Sequence, residues 1–200
     1  MRLTRIASPA LAIIAAALLA ATAGLSMTGC APVVVAAGVG AGALIAVDRR
    51  STGAQVDDEA IELKVTTTAG TRWDSRVHLN VTSYNGNVLL TGEAPTAGVR
   101  DEIERLAKTT DRVRSVTNEI VVGTDAGLRA RTNDTYITSK VKARFVEARR
   151  FDANRVKVVT ERSVVYLMGI VTREEAAEAA QVAASTSDVA RVVRVFEYIN

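Results

Sequence analysis

Along residues 57–123 the apolar positions switch between two periods. A helix is expected first, opened by the acidic run Asp57-Asp58-Glu59. Carboxylates suit an N-cap or first turn, where the helix leaves N–H groups unpaired and its dipole end is positive. Val77-x-Leu79-x-Val81 then alternates in twos, the pattern of a half-buried strand. Asn85-Gly86 signals a type I′ hairpin turn, since both residues tolerate positive φ. The return strand is Val88-Leu89-Leu90, ending at Gly92. Val99, Ile103 and Leu106 space as one face of a second helix, and Val116, Ile120 and Val122 alternate as a third strand. The predicted order is α-β-β-α-β, a hairpin and one more strand with two helices over one face.

The same unit occurs again. Shifted by 76 to 77 residues, Asp58-x-x-Ile61-x-x-Lys64 falls on Asp134-x-x-Ile137-x-x-Lys140, and Val81 on Val158. Val88-Leu89-Leu90-x-Gly92 meets Val165-Tyr166-Leu167-x-Gly169, and Asp111-Arg112-Val113-x-x-Val116 is answered by Ser187-Asp188-Val189-x-x-Val192. Register holds over the whole unit with one slip, which marks a duplication. A copy of about 68 residues is small for a hydrophobic core and gains from packing on its twin.

The chain ahead of the repeat has another character. Arg2 and Arg5 precede an apolar run from Ala10 to Ala23, and Met27-Thr28-Gly29-Cys30 follows. Basic residues, an apolar stretch and a small-residue cut site describe a secretory signal over residues 1–29. Its loss takes two of the 25 basic side chains, leaving 23 against 22 acidic, so charge gives no argument for nucleic acid. Cys30 is the single cysteine, which rules out an intramolecular disulfide framework. Residues 30–56, with Gly38, Gly40 and Gly42 among alanines, are expected to be a tether.

Met27-Thr28-Gly29-Cys30 resembles the bacterial lipobox, with Met27 where Leu is usual. The resemblance makes Cys30 the lipid-attachment site, and Ala31 after it implies the outer membrane. Several acyl chains anchor durably, each buried CH₂ contributing about 0.8 kcal/mol.

The repeat itself resembles the BON domain, and two copies behind a lipobox resemble the dual-BON outer-membrane lipoproteins of Gram-negative bacteria. Gly53-Ala54-Gln55-Val56-Asp57-Asp58, Asn80-Val81-Thr82-Ser83-Tyr84, Asn133-Asp134-Thr135-Tyr136-Ile137-Thr138 and Val165-Tyr166-Leu167-Met168-Gly169-Ile170-Val171-Thr172 carry the resemblance. It implies an α+β fold of two tandem BON domains, each a small three-stranded mixed sheet covered by two helices. The first is expected over 57–123 and the second over 133–200, joined by a linker at 124–132. It further implies a lipoprotein on the periplasmic face of the outer membrane that supports membrane integrity and concentrates at the division site. Anionic phospholipid of the phosphatidylglycerol kind is then bound by the first helix of the second domain, with Tyr136 where that family has Trp.

The residues support such a site in part. Residues 57–123 hold 8 basic and 11 acidic side chains, whereas 131–200 hold 12 and 9. In the helix expected from Asn133 to about Arg150, Ile137, Val141, Phe145 and Ala148 form a core stripe. A second stripe carries Tyr136, Ser139, Lys140, Ala143, Val146 and Arg150. Apolar groups rimmed by cations, away from the core, suit an interfacial helix. The alternative is that Tyr136 and Val146 pack on the first domain, while Lys142, Arg144 and Arg149 merely solvate the helix.

No catalytic constellation or cofactor motif is legible. His78, the single histidine, is expected to face solvent from its strand, and without further His or Cys a zinc site lacks a ligand set. Glu174-Glu175 reads as a helix start. Gly38-x-Gly40-x-Gly42 lacks the Lys of a phosphate loop, and Trp73 is expected to cap a domain edge, with ligand stacking as the second reading. The rival function is a protein–protein adaptor for envelope or cell-wall remodelling machinery, located by its acyl group alone. A holdase with an exposed apolar patch is the third.

Overall fold

The computed structural model describes residues 48–124 and 127–200. The expected signal segment, Cys30 and the tether up to residue 47 lie outside the described residues. The first copy runs α1 (Thr52–Trp73), β1 (His78–Tyr84), β2 (Asn87–Ala94), α2 (Ala97–Lys108) and β3 (Ser115–Val122). The second repeats it as α3 (Gly127–Ala148), β4 (Lys157–Glu161), β5 (Val164–Val171), α4 (Arg173–Ala184) and β6 (Arg191–Tyr198). In each copy the middle strand pairs antiparallel with its hairpin partner and parallel with the third, so both sheets are mixed. A parallel pair needs a crossover, and α2 and α4 supply it.

Strand alternation sorts the side chains to two faces. Val88, Leu90 and Ala94 of β2 meet Ile61, Val65, Ala69 and Ile103 of the covering helices. Val165, Leu167 and Val171 of β5 likewise meet Ile137, Val141, Phe145 and Ala179. The other faces of the two sheets close on each other, with Tyr84 and Leu89 of the first copy against Tyr166, Met168 and Ile170 of the second. The result is four layers, helices outside and two sheets within. Polar side chains ring this contact: Arg191 pairs with Glu119 at 3.0 Å, Arg114 with Glu197 at 2.9 Å and Arg162 with Glu93 at 3.1 Å. The segment ahead of α1 joins in, since Arg49 bridges to Glu175 and donates to the carbonyl of Ile170.

The acidic run does not open the first helix. Helix α1 begins five residues earlier, where Ser51 Oγ accepts from the N–H of Ala54. Asp58 sits in its second turn, buried, and accepts from the N–H groups of Asn85 at 2.7 Å and Gly86 at 2.8 Å. Asp134 does the same in α3, accepting from Arg162 and Ser163, both at 2.8 Å. The Asp repeated between the copies therefore ties the helix to the tip of its hairpin by accepting from both of the tip's N–H groups. Both tips have two residues at positive φ, Asn85 and Gly86 in one and Arg162 and Ser163 in the other.

Further expectations need correction. Helix α3 starts at Gly127, so most of residues 124–132 is helix rather than linker. Strand β2 does not end at Gly92 but runs through it to Ala94. A Cβ at Gly92 would lie 2.0 Å from the carbonyl oxygen of His78, so glycine is there to admit the neighbouring backbone. Trp73 caps no edge; it is buried in the core of the first copy. Glu174-Glu175 does open α4, where Thr172 and Glu175 form a capping box.

Candidate functional site

Helix α3 has two opposed faces. Ile137, Val141 and Phe145, at spacings of four, are fully buried against β4, β5 and α4. Half a turn away, Tyr136 is 59% exposed, Val146 66% and Leu128 80%. Leu128 and Val146 stand five turns apart on one bearing, and Tyr136 falls between them along the axis. Thr132, Ser139 and Ala143 fill the stripe and are also exposed. Together they span about 80° of the helix surface, centred opposite the core. Tyr136 and Val146 thus do not pack on the first copy, which sits across the sheets.

Cations flank the stripe unevenly. Lys140 is half-buried, lies 5.1 Å from the Tyr136 ring centroid and pairs with Asp188 and Ser187. That pairing holds the exposed Asp188 carboxyl below the usual carboxylate range. Arg144 donates to the carbonyl of Ser185 at 2.7 Å. Arg150 lies beyond the end of α3 and pairs with Glu178 at 2.8 Å, so it borders the stripe from the following turn. Lys142 and Arg149 are exposed. Glu147, an exposed acid, sits on the Lys140 flank. Sequence reasoning missed Leu128 because it lay in the presumed linker; its helical spacing to Thr132 and Tyr136 was the available signal.

The matching face of α1 differs in charge. Val56 and Leu63 are exposed there, but α1 carries four acidic and two basic residues, whereas α3 carries two and five. No described helix is long and apolar enough to cross a membrane.

His78 departs from the expectation of a solvent-facing residue. It is half-buried, and one of its ring nitrogens lies within 4.8 Å of a carboxylate oxygen from each of Glu93 and Glu161, the one candidate metal-ligand group among the described residues. Counting only His and Cys overlooked it, because the two acids reach His78 from different strands and different copies.

The BON-domain family model matches residues 57–124 and 133–200, most of the described chain. This chain belongs to the BON-domain family. A curated relative, Outer membrane lipoprotein DolP of Haemophilus influenzae, is 38% identical over 189 residues, 92% of this chain and 95% of that one. The 21 kDa hemolysin of Actinobacillus pleuropneumoniae is 35% identical over 155 residues, covering 76% of this chain and 80% of its own. The C-terminal domain of CdsD, a structural protein of the type III secretion system of Chlamydia trachomatis, aligns at 10% identity over 73% of this chain and 98% of its own, with a TM-score of 0.29 too low to bear on the fold. The protein is accordingly a dual-BON outer-membrane lipoprotein. Its BON domains and its lipoprotein relative point to a non-enzymatic role.

Proposed function

We propose that the second BON domain binds anionic phospholipid through the outer stripe of α3, and that the protein thereby supports outer-membrane integrity at the division site, anchored through Cys30. The observation that carries this reading is the placement of Leu128, Tyr136 and Val146. Three large apolar side chains stand exposed on one face of a helix whose opposite face is the core. Apolar groups so placed bury into the headgroup boundary, and tyrosine suits it because its ring is apolar and its hydroxyl polar. Lys140, Lys142, Arg144, Arg149 and Arg150 border the stripe, and each cation near an anionic surface contributes about 1 kcal/mol. The acidic α1 disfavours the same role for the first copy, leaving it as the support across the sheets.

Co-sedimentation with phosphatidylglycerol vesicles tests the proposal on residues 48–200, which keep every described packing contact and lack the acyl anchor. Binding is expected for the wild type and lost in Tyr136→Glu, with an unchanged circular dichroism spectrum because Tyr136 supports no core. Binding that survives Tyr136→Glu contradicts the reading. Absence of wild-type binding would leave the acyl group as the sole membrane contact and favour a tethered adaptor.

A further inference from the structure

We propose that His78, Glu93 and Glu161 form a divalent transition-metal site, zinc being the reference ion, that clamps the two BON domains together. The site is distinct from the lipid stripe and independent of it. His78 opens β1, Glu93 lies near the end of β2 and Glu161 closes β4, so the first copy supplies an imidazole and a carboxylate and the second copy the other carboxylate. One donor atom from each lies within 4.8 Å of the others. Tetrahedral zinc with bonds of about 2.0–2.2 Å sets its donors roughly 3.3–3.6 Å apart, so side-chain rotation of about an ångström closes the trio. The imidazole selects a borderline metal over magnesium or calcium, which favour all-oxygen shells.

The second observation is the state of Glu93. It is 2% exposed, and its Oε2 has no hydrogen-bond partner although Oε1 accepts from Arg162 Nη1 at 3.1 Å. A buried carboxylate oxygen without a donor costs free energy, and buried polar atoms in folded proteins are nearly always satisfied. A metal ion at the trio would satisfy it. Glu161 is already held for the purpose. Its Oε2 accepts from Asn80 Nδ2 at 2.7 Å and Thr91 Oγ1 at 3.4 Å, while Asn80 Nδ2 lies 3.4 Å from His78 Nε2. Partners of this kind orient metal ligands. Arg131 lines the hollows beside the trio, and Arg162, which pairs with Glu93, competes with an incoming ion for that carboxylate.

The duplication argues that the trio is not an accident of the fold. The positions matching His78, Glu93 and Glu161 in the opposite copy are Arg155, Ile170 and Tyr84, which cannot form such a set. Two buried acids and a histidine have collected on one side of the inter-sheet contact, where the twin positions hold a tyrosine, an isoleucine and an arginine.

The test is a zinc chloride titration of the full chain, extracted in detergent and stripped with EDTA, followed by calorimetry and by the imidazole proton signals of His78. These ring signals need no assignment, because the chain has a single histidine. One zinc per chain is expected, with a saturable shift of the His78 ring and a raised melting temperature, since ligand bound only by the folded state stabilises it. Loss of an orienting partner weakens metal sites about 10–100-fold, so loss of a ligand in His78→Ala or Glu161→Gln should cost at least that. An unshifted His78 ring under excess zinc overturns the proposal, as does binding undiminished in both variants. Should His78→Ala fail to fold, the wild-type ring signals and Glu161→Gln decide.

Discussion

Asp58 and Asp134 show how much one side chain can organise. Burial alone would raise the Asp58 carboxyl, but hydrogen bonds from Ser83, Gly86 and Asn85 and the Arg50 guanidinium hold it below the ordinary carboxylate range. Asp58→Ala removes the acceptor for two N–H groups at the hairpin tip, and each buried donor left unpaired costs about 1–3 kcal/mol. A fall of about 3 kcal/mol in unfolding free energy by urea titration is expected on that basis. The second tip lacks a glycine: Ser163 holds φ 61°. Left-handed backbone costs a side-chain-bearing residue about 1–2 kcal/mol, so Ser163→Gly should stabilise the protein by about 1 kcal/mol. Glu175 supplies a pH dependence. Burial raises its carboxyl, yet Arg49, the N–H of Thr172 and Arg155 bring it from 4.5 down to about 2. A lowered folded value means that its contribution is complete above about 4.5 and is lost as pH falls towards about 2, so Glu175→Gln should flatten acid unfolding across that window.

Among the elements, the hairpin and crossover helix of the first copy were legible because each follows from a local signal, and their counterparts followed from the repeat. Asn85-Gly86 dictates its turn, and Val99, Ile103 and Leu106 can share a face only in a helix. The start of α1 was not legible, since the sequence signal for an N-terminal carboxylate does not distinguish a helix cap from a buried acceptor reaching a distant turn. The core stripe of α3 was read correctly from Ile137, Val141 and Phe145, and the structure adds Leu128 to the opposite stripe. Glu147 gives that stripe a test of sign. Replacing the exposed acid next to Val146 with a cation, Glu147→Lys, should strengthen binding to phosphatidylglycerol vesicles, by about 1 kcal/mol for the added cation, while leaving binding to neutral vesicles unchanged. Equal effects on both vesicles would show that charge at this face plays no part.

For the whole molecule the decisive feature is the contact between sheets. Strand alternation suggested one solvated face per sheet, but Tyr166, Met168 and Ile170 alternate with Val165, Leu167 and Val171 to make β5 apolar on both. A near-continuous apolar run marks a strand covered on both sides, and that signal was present in the sequence. Which surface covers it was not, because the contact joins residues some 80 positions apart, such as Leu89 and Met168. Since each copy has its own core, Met168→Asp should split a single calorimetric unfolding transition into two, the buried charge breaking the contact between copies without emptying either core. The same contact leaves α3 on the outside of the molecule, available to a membrane. The most direct test is therefore to follow the amide chemical shifts of residues 48–200 while adding phosphatidylglycerol micelles. The account predicts perturbations confined to Leu128–Arg150, on the side of Leu128, Tyr136 and Val146; perturbations centred on α1, or none, would contradict it.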